Sequence, residues 1–373
     1  MLPQQLLWKE GKNMLDDKQK QLVNDFEKWW NHELERPIIQ VVLAKNKKPQ
    51  YSRGDLLEMV YDPQVPVKEV AQAYEDTFNS QICLGDAFPQ FYMRSTGVLG
   101  AYLGQKWKID NQHGTIWFQE TGKELEDIHL KLDKNFWLYQ RSIDILKEFI
   151  SHFKDKIALG IPNLGGMMDI VESMRGANNS LIDLYDDPDE VLRINDEIFE
   201  AYKEAYYDTI HTIEQGNVLG YTGWITLLSQ KPYFISQCDF CCMVGKPQFN
   251  EFIENTLRKE AQLIERSFYH LDGPGAVRHL DTILDCGFDG IQWVQGAGAK
   301  RLDSGEWDEI YKKVRAKNKL LQVFIYGKEE LPCIDYIVDV LNGDTSGLAF
   351  ICSGNEEDQE EFIKYLDKYH VPH

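Results

Sequence analysis

Residues 267–296, SFYHLDGPGAVRHLDTILDCGFDGIQWVQG, contain two short apolar runs, 267–273 and 290–296, that end on polar or glycine residues. Short apolar runs bounded by turn residues are typical of strands buried in a sheet. Similar runs recur from end to end of the chain, at 38–44, 81–88, 157–163, 218–226, 240–245, 320–327 and 347–354. The sequence therefore offers nine candidate strands.

Amphipathic stretches of helical length separate many of these runs, and the clearest lie at 16–35, 134–153, 188–215 and 247–266. Alternation of strands and helices predicts a parallel sheet covered by helices. A doubly wound sheet is the alternative, but no G-x-G-x-x-G turn follows an early strand. We therefore predict an α/β fold: a (β/α)₈ TIM barrel forming one domain over 1–373, with an N-terminal helical extension and a small β-hairpin insertion near 114–121.

Composition narrows the function classes. The formal charge of −20 would repel a phosphate backbone, which argues against nucleic-acid binding. The opening MLPQQLLWKEGKN has no apolar signal region, and no stretch reaches the length of a membrane span. Seven cysteines, an odd number, do not predict a disulfide framework. We expect a cytoplasmic protein with no membrane partner, acting on a small molecule; the oligomeric state stays open.

Polar residues that close the apolar runs are the first candidates for chemistry, because barrel enzymes place their sites at the carboxyl ends of the strands. They are Asp86, Asn163, His270, Asp272, Gln292 and Cys352, with Asp239 in the cysteine-rich segment 238–242. Each could instead cap a helix or close a turn. Aromatic residues at the same places could line a substrate pocket or pack the rim: Phe88, Tyr92, Tyr221, Trp224, Tyr269 and Trp293.

The tripeptide His270-Leu271-Asp272 is the sharpest local signal. Alternate residues of a strand point to the same side, and a histidine beside a carboxylate can hold a metal or move a proton. The C-x-x-C at 238–241 has no second pair at zinc-finger spacing, which argues against a structural zinc site.

Four segments in this order resemble the uroporphyrinogen decarboxylase superfamily, which includes cobalamin-dependent methyltransferases: GDAFPQF (85–91), LGGMMDIVESMRGANNSLIDLYDDPDEV (164–191), QCDFCCMVGKPQFNEF (237–252) and YHLDGPGAVRHLDTILDCGFDGIQWV (269–294). The resemblance runs from about residue 36 to the end and implies a (β/α)₈ barrel. It also implies that Asp86 occupies the catalytic aspartate position of the decarboxylases. Their arginine-rich loop is replaced here by AKNKK at 44–48.

The methyltransferase branch resembles the chain differently. That branch binds zinc through His-x-Cys and a later cysteine, and the corresponding residues here are His270, Asp272 and Cys352. The resemblance thus implies a metal site, with zinc as cofactor, in which one thiolate ligand is replaced by a carboxylate. In that branch zinc lowers the pKa of a thiol and makes it a nucleophile toward a methyl group.

We therefore expect a methyltransferase of one-carbon metabolism that acts with a corrinoid carried by a partner protein. Its catalytic residues would be Asp86, Asp239 and His270. The substrate-binding residues would be Asn163, Gln292 and the six aromatic residues given above. Two alternatives remain: decarboxylation of a tetrapyrrole or other polycarboxylate at Asp86, and a barrel that binds a ligand without catalysis.

Overall fold

A computed structural model of the chain describes residues 15–94 and 96–373. The expectation that the chain has no leader falls on its first 13 residues, which lie outside the described part. No helix in the described residues is both long and apolar enough to cross a membrane. All seven cysteines are unpaired thiols.

Twelve strands are present in the described residues, and ten of them build two sheets. The larger sheet has seven strands in the order β2-β1-β12-β11-β10-β9-β8, and the smaller has the order β3-β6-β7. All neighbours pair in parallel except β1 and β2. The strands are β1 (Ile38–Ala44), β2 (Gln81–Gly85), β3 (Gln90–Phe91), β4 (Trp107–Asp110), β5 (Thr115–Phe118), β6 (Ala158–Gly160), β7 (Gly220–Thr222), β8 (Tyr233–Gln237), β9 (Arg266–Asp272), β10 (Gly290–Val294), β11 (Leu320–Tyr326) and β12 (Leu348–Asn355).

Helices follow most of these strands, as the sequence alternation predicts. They are α1 (Asp17–Trp30), α2 (Arg53–Tyr61), α3 (Val67–Asn79), α4 (Val98–Tyr102), α5 (Trp137–Phe153), α6 (Met167–Arg175), α7 (Ala177–Asp186), α8 (Pro188–Glu214), α9 (Lys246–Gln248), α10 (Asn255–Ala261), α11 (Gly273–Ala276), α12 (Leu280–Leu284), α13 (Asp308–Ala316), α14 (Pro332–Val340) and α15 (Gln359–Lys368). Local sequence explains their starts: Asp16 and Gln19 cap α1 reciprocally, and Pro188 opens α8.

Side chains alternate between two cores along the parallel strands of the larger sheet. On β12, Ala349 and Ile351 join an inner cluster, whereas Phe350 and Cys352 join an outer cluster that packs against the helices. The inner cluster takes residues from both sheets and from α1, whose Trp29 is completely buried. The two sheets therefore enclose one inner core, and α1 covers its amino-terminal end, where the Trp29 indole N–H donates to Leu348 O (3.0 Å). In the described residues the strands pair as two separate sheets and not as one continuous hydrogen-bonded ring.

The run at 81–88 differs from its prediction. It forms β2, which pairs antiparallel with β1, so that Gly85 lies opposite Gln40. The chain then turns at Gly85, whose φ of +61° and close approach to Ile39 O leave no room for a side chain. The parallel strand that follows is the short β3, which pairs with β6.

Of two further predictions from the sequence, the strand at 240–245 is wrong and the hairpin near 114–121 is confirmed. The run at 240–245 is not a strand, because residues Asp239–Met243 form a 3₁₀ turn and the strand precedes them as β8. The hairpin expected near 114–121 is present as the antiparallel pair of β4 and β5. The larger sheet contributes six parallel strands and the smaller three, which exceeds the eight of the predicted barrel.

Candidate functional site

Three ionisable side chains meet at the carboxyl ends of β8 and β9. Ligand atoms of Asp239, His270 and Asp272 all lie within 4.8 Å of one another. His270 and Asp272 are alternate residues of β9, so they project to one side, and His270 Nε2 lies 3.9 Å from Asp272 Oδ2. Asp239 begins the turn after β8, where Gln237 is paired with His270. Strand register therefore builds this Asp–His–Asp cluster.

A buried chain of amides orients the histidine. Gln292 on β10 donates from Nε2 to Gln322 Oε1 on β11 (2.5 Å). Its own Oε1 is therefore the acceptor for Nδ1 of His270. Both glutamines are completely buried. This arrangement assigns the proton of the neutral imidazole to Nδ1 and leaves the Nε2 lone pair toward Asp272, as in histidines that bind metals.

The turn that carries Asp239 is held by the segment after β6. Asp169 in α6 accepts from Phe240 N (2.9 Å) and so fixes the turn that carries Asp239. Burial raises the pKa of Asp169. These contacts also bring the carboxyl ends of β6 and β8 to the same edge of the molecule.

Electrostatics at the cluster disfavour an additional negative charge. Desolvation, followed by the carboxylates of Asp169 and Asp272, raises the pKa of Asp239 to about 8, although its side chain is open to solvent. Burial lowers the pKa of His270, an effect that Asp272 opposes. At neutral pH the imidazole is thus uncharged, and a cation at this place would relieve the repulsion between the carboxylates.

Trp224 and Cys242 border the cluster on other sides. The Trp224 ring lies edge-on to His270, with ring centroids 4.6 Å apart and planes at 79°. Cys242 Sγ lies 3.8 Å from Asp272 O. A hydrogen bond with Cys241, burial and the charge of Asp272 raise the pKa of the Cys242 thiol, so it is protonated at neutral pH.

Asp86 does not reach this edge. Because β2 runs antiparallel to β1, Asp86 lies at the amino-terminal end of β1, where it accepts from Ile39 N (2.9 Å). Both of its oxygens also accept from Arg36, each at 2.8 Å, and Arg36 in turn pairs with Asp25. The prediction that Asp86 faces the carboxyl-terminal cavity is wrong, and its contacts describe a structural ion pair.

Cys352, Tyr269 and Trp293 are also placed differently from the prediction. All three point toward the helices in the outer cluster, and at most 1% of each is exposed. A strand alternates sides, so neighbours of inward residues must face outward. Cys352 therefore lies away from His270, and Asp239 is the third ionisable side chain of the cluster instead.

The remaining predicted residues are scattered. Phe88 is buried at the amino-terminal side against Phe26, with centroids 5.7 Å apart, and Tyr221 packs against the outer cluster. Asn163 closes the loop after β6 by accepting from Gly165 N (3.0 Å). Tyr92 does lie at the carboxyl-terminal edge, one residue after β3. Of the eight predicted substrate-binding residues, Trp224 and Gln292 contact the cluster.

Two contributors were missed by sequence reasoning. Asp169 lies in the first turn of α6 rather than at a strand end, so a search for polar residues at strand ends does not select it. Gln322 carried a clearer signal, because an amide within the apolar run LLQVFIY needs a buried partner. Gln292 lies at the same place in its own run.

The fold and this cluster define an α/β protein with a carboxylate–histidine site at the strand ends. A methyltransferase from Methanosarcina mazei has a similar solved structure, with a TM-score of 0.60 and 13% identity over 94% of this chain and 99% of that chain. The mannanase man26 of Bacillus subtilis matches at a TM-score of 0.37 and 10% identity, over 91% and 86% of the two chains. No family model and no curated protein matches the chain. The comparison with the methyltransferase establishes a shared fold.

Proposed function

We propose that the protein is a methyltransferase of the uroporphyrinogen decarboxylase superfamily that binds a divalent metal ion through Asp239, His270 and Asp272. The observation that carries this proposal is the convergence of the three ligand atoms within 4.8 Å. The fold shared with a methyltransferase supports the reaction class. A small molecule and a corrinoid protein, both in the cytoplasm, would be its partners.

The donor set fits such an ion. Two carboxylates and a neutral imidazole form a harder set than thiolates, which suits Zn²⁺ or Mn²⁺. Gln292 accepts from Nδ1 of His270 and so leaves Nε2 free to bind a metal ion, and Asp169 fixes the turn that carries Asp239. A bound ion would supply Lewis acidity that lowers the pKa of a substrate thiol or water. Trp224 restricts access of water to the imidazole from one side.

A closed (β/α)₈-type barrel is part of the same proposal. The two sheets share one inner core, which supports a barrel whose strands surround that core, with the Asp–His–Asp cluster at the carboxyl-terminal opening. Decarboxylation centred on Asp86 loses its geometric basis, because Asp86 is engaged by Arg36 at the opposite end.

Metal binding is tested first. Calorimetric titration of the chelator-treated protein with Zn²⁺ and Mn²⁺ should give one site, which Asp239→Asn and His270→Gln weaken by about tenfold or more. Cys352→Ala is the matched control, since it removes the ligand predicted from sequence but leaves the cluster intact. Equal affinities in wild type and His270→Gln would contradict the proposal.

Activity is tested next, under anaerobic conditions, with methylcobalamin replacing a corrinoid protein and a panel of small thiols. We expect conversion of methylcobalamin to cob(I)alamin and of the thiol to its methyl thioether, with release of the thiol proton; both changes should depend on metal and be absent in His270→Gln. Metal binding without methyl transfer to any thiol would favour the non-catalytic alternative.

A further inference from the structure

His279 is more deeply buried than any other histidine in residues 15–94 and 96–373, with only 1% of it exposed. It ends the 3₁₀ turn Val277–His279, which follows α11 and leads into α12. Its ring is stacked on the ring of Phe249, with centroids 4.1 Å apart and planes at 7°. An apolar ring could fill the same place, so a buried imidazole needs hydrogen bonds that offset its burial.

Those hydrogen bonds go to the backbone that follows β8. Nε2 of His279 lies 3.1 Å from the carbonyl oxygen of Cys241 and 3.2 Å from that of Val244. Carbonyl oxygens only accept hydrogen bonds, so Nε2 carries a proton and donates to both. Cys241 belongs to the turn Asp239–Met243, and Val244 comes directly after it. His279 therefore holds the far end of the turn that begins with Asp239.

The two segments joined in this way carry both aspartates of the cluster. Asp272 ends β9 directly before α11, and the same segment then reaches His279. The two segments also pack closely, because a Cβ added to Gly275 in α11 would lie 3.0 Å from Cys242 Cβ. One continuous path thus runs from Asp272 through His279 and the turn to Asp239.

The carboxylates of Asp239 and Asp272 need such a connection. Their ligand atoms lie within 4.8 Å of each other, where two negative charges repel. Asp169 accepts from Phe240 N (2.9 Å) and so fixes the start of the turn against the segment after β6. The bond of His279 fixes the end of the turn against the segment after β9.

We propose that His279 is a positioning residue, which clamps the turn after β8 to the segment after β9 and so sets the distance between Asp239 and Asp272. It contacts neither carboxylate and acts through the backbone of the turn. The effect of this clamp on metal binding rests on the proposed function, whereas the clamp itself does not.

Two substitutions separate the hydrogen bonds of His279 from its packing. His279→Phe keeps a ring on Phe249 but removes the donor, and His279→Gln keeps an N–H donor of similar reach but removes the ring. In calorimetric titrations we expect His279→Phe to weaken Zn²⁺ binding about tenfold, and His279→Gln to stay within about twofold of wild type. Phe249→Leu is the matched control, since it removes the stacked ring and leaves the donor, and it should bind Zn²⁺ as wild type does.

Urea denaturation distinguishes positioning from a general structural role. His279→Gln and Phe249→Leu should both lower the free energy of unfolding, because the ring stack is lost, and yet keep their affinity for Zn²⁺. If the affinity of these two variants fell as far as that of His279→Phe, metal binding would only follow stability, and the proposal would be overturned.

Hydrogen exchange of the metal-free protein tests the clamp without the metal. The amide hydrogens of Phe240 and Val244 should exchange faster in His279→Phe than in wild type, and at the wild-type rate relative to Leu321 in His279→Gln. The amide of Leu321, which donates to Gly347 O far from the turn, reports opening of the whole fold. Equal acceleration of all three amides in His279→Phe would contradict the clamp. If wild type bound no Zn²⁺, the proposed function would fail, and the exchange rates would decide the clamp alone.

Discussion

Gln292 Oε1 accepts the hydrogen bond of His270 Nδ1 at the carboxyl ends of β9 and β10. This contact determines which imidazole nitrogen is free. It joins a residue from the middle of one apolar run to the polar end of another, and the parallel register of Gln292 with His270 makes it possible. Chemistry at the cluster therefore depends on an amide whose side-chain hydrogen bonds go to His270 and Gln322 and not to the two aspartates.

Gln292→Leu is predicted to weaken Zn²⁺ binding by roughly 10- to 100-fold, because the imidazole loses its orienting partner. Gln40→Leu is the control. Gln40 is equally buried on β1 but donates to Thr226 O and does not contact the histidine. Dissociation constants measured by calorimetry provide the comparison. An effect of the same size in both variants would indicate general loss of packing.

Metal affinity is predicted to rise with pH up to about pH 8 and then level off. The pKa of Asp239 is about 8 in the folded protein, so below this pH an ion must displace a proton to bind. Titrations at pH 7 in buffers of different ionisation enthalpy should reveal proton release. Asp239→Asn should abolish that release, and a pH-independent affinity in wild type would contradict the assignment.

The same carboxyl group affects stability in a defined direction. The folded state holds the Asp239 proton to about pH 8, whereas an unfolded aspartate loses it near 3.8. The folded state therefore binds more protons between these values and loses stability as pH rises through the window. In metal-free buffer at pH 9, Asp239→Asn should have a higher free energy of unfolding than wild type, and urea denaturation measures it. Equal free energies of unfolding of wild type and Asp239→Asn at pH 9 would mean that the charged Asp239 carboxylate does not destabilise the folded state.

Asp86→Asn is predicted to destabilise the fold by about 3 kcal/mol, because removing one partner of a buried ion pair leaves the other uncompensated. The catalytic role that the sequence analysis expects for Asp86 would predict the opposite result, a loss of activity with folding intact. Asp17→Asn removes an exposed pair with Lys20 and should change stability by less than about 0.5 kcal/mol. Urea denaturation measures the free energy of unfolding of both variants. An Asp86→Asn protein as stable as wild type would refute the structural role.

Some of the site could be predicted from the sequence because period-two alternation is local. His270 and Asp272 are two residues apart in an apolar run, so their common side follows from strand geometry alone. The failure at Cys352 has the same origin. Nothing in the run LAFICSG determines which of the two alternating sets of side chains faces inward. In the structure Ala349 and Ile351 pack in the inner core, so Cys352 faces outward.

The wrong placement of Asp86 comes from contacts between segments distant in sequence. The run before it is a real strand, but its direction is set by pairing with β1 and by the turn at Gly85, and neither is visible in hydrophobic periodicity. Asp239 was placed correctly for a different reason. A 3₁₀ turn rather than a strand carries it, yet the turn begins where β8 ends, so the residue still reaches the carboxyl-terminal edge.

Trp224→Leu is predicted to raise the pKa of His270, because burial is the main cause of its lowered value and the indole covers one side of the imidazole. At pH 6 more of the histidine would then be protonated, so Zn²⁺ affinity should fall there while changing little at pH 8. The imidazole resonances followed by NMR during a pH titration give the pKa directly, and His270→Gln identifies which resonance belongs to it. Trp117→Leu, which removes a tryptophan that is 62% exposed, controls for the loss of an indole and should leave both quantities unchanged. A His270 pKa that does not move in Trp224→Leu would mean that the strands and the two glutamines alone exclude water from the imidazole.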